Sequence, residues 1–154
     1  MAAKVRYIPE GYHNLTPYLI CQDAAKAIDY YKQAFGATEL LRMGGAEGKI
    51  GHAELKIGDS HLMLADEHAG MGAHSATHYG GSPVSILIYV EDVDRVFEKA
   101  VSLGASVKRA PQDMFYGDRT CWVVDPFGHS WYLHTHIKDV TPEEIKQAMA
   151  GSGQ

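Results

Sequence analysis

His52 and Glu54 stand two residues apart, in the run Gly51-His52-Ala53-Glu54-Leu55. On a strand that spacing puts both side chains on one face. A carboxylate beside an imidazole can orient it or raise its basicity, which suits general acid–base work. With Asp66 and His134 the same pair has the donor types that Zn²⁺ or Mn²⁺ accept. These residues could equally hydrogen-bond a ligand. Trp122, Tyr132 and Tyr116 supply aromatic surface. Arg119, in Phe115-Tyr116-Gly117-Asp118-Arg119, could hold a carboxylate or phosphate with both arms of its guanidinium, or be taken up by Asp118 or a loop carbonyl.

Other candidates carry less. His74 and His78 would form a metal pair on a helix, but Gly70, Gly72, Gly80 and Gly81 surround them and argue for a loop. His13, His61 and His68 read as surface residues, His129 as part of a turn, and His136 as a solvent-facing strand end. Cys21 and Cys121 fall inside strands with no CxxC spacing, so they read as buried thiols of a reducing cytoplasm. The chain has no phosphate-binding glycine loop, dinucleotide fingerprint or nucleophile elbow.

The elements that must position these groups are legible from periodicity. Strands are expected over 16–22, 49–57 and 61–66, then over 84–90, 105–109, 119–125 and 129–135. Asp23 and Asp92 cap two helices. One carries Ala27, Ile28, Tyr31 and Phe35 and stops at Gly36; the other carries Val93, Val96, Phe97 and Ala100. Thr141-Pro142-Glu143-Glu144 starts a tail helix. Period-two geometry then sorts the faces. Met63 and Ala65, with Ala53 and Leu55, form an apolar set for the helices. His52, Glu54, Asp66, Thr120, Trp122, Tyr132 and His134 form a mixed set for the open side. Tight turns would set His52 opposite Asp66, Glu54 opposite Leu64, and Trp122 opposite Tyr132. A slip of one residue would reverse a face.

The order repeats. Asp23 and Asp92, Gly36 and Gly104, and His61 and His129 recur at an offset of 68 or 69 residues. Each half is β-α-β-β-β, an α+β arrangement whose sheet has one face under its helix and one face open. Two such modules can form a curved mixed sheet around a cleft. An aromatic cleft with a few polar groups is the usual form of a small-molecule site. The expected organisation is one domain, residues 1–154. Module one covers about 14–67, a linker loop 68–83, module two about 84–138 and the tail helix about 141–150. The composition is 45% apolar and 21% charged with a formal charge of −5, which fits a globular protein and gives no case for nucleic acid. No apolar run reaches a membrane span, and the first residues lack the apolar core of a signal peptide, so a cytoplasmic protein is expected.

The ordered series resembles a known family. Its stretches are Pro17-Tyr18-Leu19, Asp23-Ala24-Ala25-Lys26-Ala27-Ile28-Asp29-Tyr30-Tyr31, Ala34-Phe35-Gly36-Ala37, Gly51-His52-Ala53-Glu54-Leu55 and Met63-Leu64-Ala65-Asp66-Glu67. Later come Tyr89-Val90-Glu91-Asp92-Val93-Asp94, Phe115-Tyr116-Gly117-Asp118-Arg119 and Asp125-Pro126-Phe127-Gly128-His129. Over about residues 14–144 the chain resembles the glyoxalase/bleomycin-resistance/extradiol-dioxygenase (vicinal oxygen chelate) superfamily, and within it the PhnB-like branch. The resemblance implies paired βαβββ modules and a homodimer. It also implies metal ligands at positions that fall here on Thr16, Leu64, Ser85 and Tyr132, none of them a good ligand for Zn²⁺, Ni²⁺ or Fe²⁺. The expectation is therefore a metal-independent small-molecule binder with no cofactor. Its ligand would touch His52, Glu54, Asp66, Tyr116, Arg119, Trp122, Tyr132 and His134. The alternative is a glyoxalase-like lyase or isomerase using His52 and Glu54, with or without a relocated divalent metal.

Overall fold

Two aspartates start the two main helices, as their spacing predicts. Asp23 accepts a hydrogen bond from the backbone N of Lys26 at 3.1 Å, and Asp92 from that of Arg95 at 3.0 Å. In a computed structural model, which describes residues 5–151, these caps open α1 (Ala24–Phe35) and α2 (Val93–Ser102). Gly36, at φ +68°, closes α1 in the left-handed conformation that glycine adopts without penalty. The described chain separates after Gly80 into two units.

The first unit contains β1 (Tyr18–Cys21), α1, β2 (Thr38–Gly44), β3 (Ile50–Ile57) and β4 (Ser60–Asp66). Its sheet has the order β1-β4-β3-β2. The second contains β5 (Ser85–Tyr89), α2, β6 (Ser106–Asp113), β7 (Asp118–Val124), β8 (Ser130–His136) and a tail helix α3 (Pro142–Gly151). Its sheet has the order β5-β8-β7-β6. In each, the first strand runs parallel to the last and the other pairs are antiparallel. This is the α+β, twice βαβββ fold expected. The edge strands were the least legible. β2 has no clean alternation and is largely exposed. β6 runs past Pro111, which an edge strand tolerates because the missing N–H faces no partner.

Each helix packs on one face of its own sheet. Ala27, Ile28, Tyr31 and Phe35 of α1 are buried with Ala53, Leu55, Leu62 and Leu64. In the second unit Val93 and Ala100 are buried with Cys121, Val123, Trp131 and Leu133. Burial pushes the Cys121 thiol up to about 11, so it is inert at neutral pH.

One register differs from expectation. β3 and β4 pair Ala53 with Leu64 and Glu54 with Met63, one residue away from a Glu54–Leu64 pairing. The turn has only two residues, Gly58 and Asp59, with Gly58 at φ +57°. A slip of one residue exchanges the faces of β4. Leu62 and Leu64 therefore face the helix, Met63 and Ala65 turn to the open side, and Asp66 falls on the helix side. There Asp66 accepts from the backbone N of Ala24, the first residue of α1, at 2.8 Å, and from that of Ile50 at 2.7 Å. In the second unit Thr135 takes the equivalent place. Its hydroxyl accepts from the N of Val93, the first residue of α2, at 2.9 Å and donates to the carbonyl of Val90 at 2.8 Å.

Asp66 is thus a structural acceptor that joins α1, β3 and β4. Asp66→Ala strands two buried backbone N–H groups and is expected to cost about 2 kcal/mol, against about 1 kcal/mol for Thr135→Val. Urea denaturation of the two variants checks this; an Asp66→Ala protein as stable as the wild type contradicts the role.

Candidate functional site

The alternation of β7 and β8 puts Asp118, Thr120 and Trp122 on the open face with Tyr132, His134 and His136. The observed pairs are Trp122 with Tyr132, Thr120 with His134 and Asp118 with His136. The Trp122 and Tyr132 rings stack at 5.4 Å and 19°. The indole is held from behind: its Nε1 donates to Ser130 Oγ at 2.8 Å, and that hydroxyl lies 2.7 Å from Ser85 Oγ. Both rings are half-buried, so they are fixed in place yet reachable.

Beside them Asp118 gathers three donors. His134 Nδ1 lies 2.9 Å and Tyr89 Oη 3.2 Å from Oδ2, and His136 Nδ1 lies 2.7 Å from Oδ1. Asp118 and His134 are both buried. Burial works to raise the Asp118 carboxyl, but the bonds from His134, His136 and Tyr89 outweigh it and hold the group below its usual range. His136 also meets Asp139, through Nε2 at 2.9 Å. The bonds to Asp139 and Asp118 raise the pKa of His136 above the ordinary histidine value. With Nδ1 directed at Asp118, His134 Nε2 has no hydrogen-bond partner among the described residues. Tyr116 stacks on the His134 ring at 6.3 Å and 22°. Gly117 makes this turn possible. It holds φ +97°, and a Cβ there would collide with the carbonyl oxygen of Lys138.

The open face of the first unit carries a second chain of polar contacts. Tyr18 Oη lies 2.9 Å from His52 Nδ1, and His52 Nε2 lies 3.1 Å from Glu54 Oε1. Tyr12 donates to the other oxygen of Glu54 and stacks on His61 at 3.8 Å. The bonds from Tyr12 and His52 hold the Glu54 carboxyl below its usual range, against burial. Both nitrogens of His52 are engaged, so its imidazole has no spare nitrogen for a substrate proton. Tyr18 also borders a cavity of about 540 Å³ with Ile20, Lys49, Ile50, Ala65 and Met71. His61, expected at the surface, is half-buried under Tyr12, and its Nδ1 is buried without a partner.

The expected site residues therefore divide. Trp122, Tyr132, His134 and Tyr116 converge in the second unit, and His52 with Glu54 in the first. Asp66 and Arg119 belong to the helix-covered faces. Arg119 grips Asp94 of α2 with Nε at 2.7 Å and Nη2 at 2.9 Å, and reaches Asp113 with Nη1 at 2.9 Å. Adjacent residues on a strand point to opposite sides, so Arg119 pairs across to the helix while Asp118 serves the open face. Asp118, Tyr89, Ser130 and Arg109 were missed as site residues. The even-number parity of Asp118 with Trp122 was the available signal. Arg109 had none, because two register shifts interrupt β6 around it.

The donor set does not suit a divalent metal at the positions the resemblance implies. Leu64 is buried on the helix side, Ser85 is bonded to Ser130, and Tyr132 is stacked on Trp122. Among the described residues no three His, Cys, Asp or Glu side chains converge on a point that could hold an ion.

Residues 12–133 match the family model described as the Glyoxalase/Bleomycin resistance protein/Dioxygenase superfamily. An uncharacterised protein of Mycobacterium bovis is 43% identical over 142 residues, covering 90% of this chain and 93% of its own. The crystal structure of TioX from Micromonospora sp. ML1 superposes with a TM-score of 0.63 at 28% identity, covering 81% of this chain and 99% of that one. A Bacillus cereus structure titled as a putative 3-demethylubiquinone-9 3-methyltransferase, PhnB protein, shares the fold at TM-score 0.64 and 18% identity, over 80% of this chain and 99% of that one. No helix among the described residues is long and apolar enough to cross a membrane.

The two bonds of His136 predict a pH dependence. Its pKa is raised on folding, so the stability it adds is complete below the ordinary histidine value, and it fades as the pH rises through the raised value. The gap in Tm between wild type and His136→Gln should be widest near about pH 6 and close by about pH 9. Thermal melts of both proteins across that range measure it.

Proposed function

The chain belongs to the glyoxalase/bleomycin-resistance/dioxygenase superfamily, and on that footing we propose that it binds a small planar molecule without a metal. The observation that carries this is the fixed Trp122–Tyr132 pair beside the His134–Asp118 dyad. An indole held by its hydrogen bond to Ser130 and stacked on Tyr132 loses little freedom on binding, so the pair makes an efficient stacking surface. Polar groups at one end of that surface fix the orientation of what lies on it. Metal independence rests on the donor chemistry: of the positions where the resemblance implies ligands, Ser85 and Tyr132 offer only a hydroxyl and a phenol, and Leu64 faces the helix. A homodimer, which the family resemblance implies, is part of this reading, as is the cytoplasmic location expected from the unpaired cysteines; light scattering on the purified protein measures its mass.

A second reading, an acid–base enzyme, is favoured by one observation. His134 has the carboxylate at Nδ1 and the open Nε2 that a general base needs, whereas His52 is engaged at both nitrogens. The residue on which this reading turns is thus His134 instead of His52. Conversion of a bound ligand that stops in His134→Gln would establish it; binding that persists without conversion leaves the first reading.

Thermal-shift screening against metabolites and aromatic antibiotics is expected to yield stabilising ligands. Trp122→Ala and Tyr132→Ala should each weaken such a ligand by about tenfold, or about 1.4 kcal/mol. Metal analysis of untagged protein should find no stoichiometric metal. A full equivalent that is lost on His52→Ala or Glu54→Ala overturns the proposal.

A further inference from the structure

Two of the arginines in the sheets have their charge answered within the protein. Arg42 holds Glu39, and Arg119 holds Asp94 and Asp113. Arg109 differs. It lies on β6 opposite Trp122, and its guanidinium reaches over the buried Thr120 on the open face. Nη1 donates to the carbonyl of Thr120 at 3.1 Å and to the sulfur of Met114 at 3.7 Å, while Nη2 donates to Thr120 Oγ1 at 2.6 Å. All three partners are neutral. Among the described residues Arg109 has no carboxylate partner.

The donor count shows what is left. A guanidinium has five N–H groups. Three are used, all by Nη1 and Nη2 on the end turned toward Thr120 and Met114. The remaining two are the Nε–H and one Nη2–H, which lie side by side along the other edge. Parallel donors along one edge match the two oxygens of a carboxylate or the oxygens of a phosphate. A half-buried cation that is fixed by neutral groups and faces no counter-ion gains most from an anion brought by a ligand. The fixed bonds to Thr120 also mean that this edge is aimed before the ligand arrives, which lowers the ordering cost.

Arg109 and Trp122 are register partners, about 5 Å apart at the backbone. One small molecule can therefore span both. We infer that Arg109 is the anion-recognition residue of the second unit, and that the ligand is an aromatic ring bearing a carboxylate or similar anionic group. This rests on the aromatic-surface reading above and narrows it to a chemical class. It also moves the anion-holding role that the sequence suggested for Arg119 to an arginine of the neighbouring strand. The His134–Asp118 dyad sits next along the same face, since Thr120 pairs with His134.

Calorimetric titration with 2-naphthoate and its neutral counterpart 2-naphthamide tests the inference. Wild-type protein should prefer the naphthoate by about tenfold or more, the scale of a charge-assisted bond pair. Arg109→Gln should bring naphthoate down to the affinity of naphthamide and leave naphthamide unchanged. Arg109→Lys, which keeps the charge and loses the paired edge, should retain only part of the preference and serves if the Gln variant fails to fold. Trp122→Ala should weaken both compounds. Equal affinities in the wild type, or a preference that survives in Arg109→Gln, overturn the role of Arg109 while leaving the aromatic surface intact. If neither compound binds the wild type, the aromatic-surface reading falls and the Arg109 assignment with it.

Discussion

The first N–H of each main helix is tied to the last strand of its sheet, and much else depends on that bond. Ala24 N donates to Asp66, and Val93 N donates to Thr135. An unmatched N–H at a helix start is costly when buried, so each helix is fixed where the acceptor stands. That choice makes one face of the sheet the helix face and leaves the other open. The two acceptors differ chemically, a carboxylate and a hydroxyl, yet occupy equivalent places. The repeat conserves the geometry of the joint and not the residue that makes it.

Once the faces are assigned, the two units use their open sides differently. In the first, Tyr18, His52, Glu54 and Tyr12 form a closed chain in which each polar atom of the imidazole is consumed. Such a chain orders the sheet and the segment that leads into β1. In the second, Asp118 absorbs three donors, and His134 Nε2 is left without a partner among the described residues. A buried carboxylate that accepts three bonds is stabilised as an anion, and it holds the imidazole in one orientation. The stacked Trp122 and Tyr132 continue the face, and Arg109 closes it with an unanswered charge. The groups on which the proposed binding rests thus lie in the second unit, although His52 and Glu54 are the more conspicuous pair in the sequence.

Misplaced residues share one cause. Asp66 and Arg119 are polar residues in strands, and polarity alone suggests an open face. Each instead meets a partner contributed by a helix: the Ala24 N–H for Asp66 and the Asp94 carboxylate for Arg119. Charge can lie on the packed side of a sheet when the helix brings the complement. The second hairpin followed expectation because its five-residue turn preserves the pairing of Trp122 with Tyr132. The first did not, because its turn is one residue shorter than assumed.

The sequence by itself determined the repeat, the helix caps at Asp23 and Asp92, the glycine stop at Gly36, and hence the twice-βαβββ fold and its family. These are local signals: a side chain reaching three residues along its own chain, or a period read along one strand. It also determined that Tyr132 and His134 share a face, since residues two apart on a strand must; Trp122 joins them through the register of the hairpin. Only the tertiary structure decided which polar residues belong to the open face of β4, which of Arg109 and Arg119 is left without a carboxylate partner among the described residues, and which of His52 and His134 keeps an unengaged nitrogen there. Those outcomes turn on register and on partners far away in sequence. A shift of one residue, or one distant carboxylate, reverses them without leaving a mark on the local pattern.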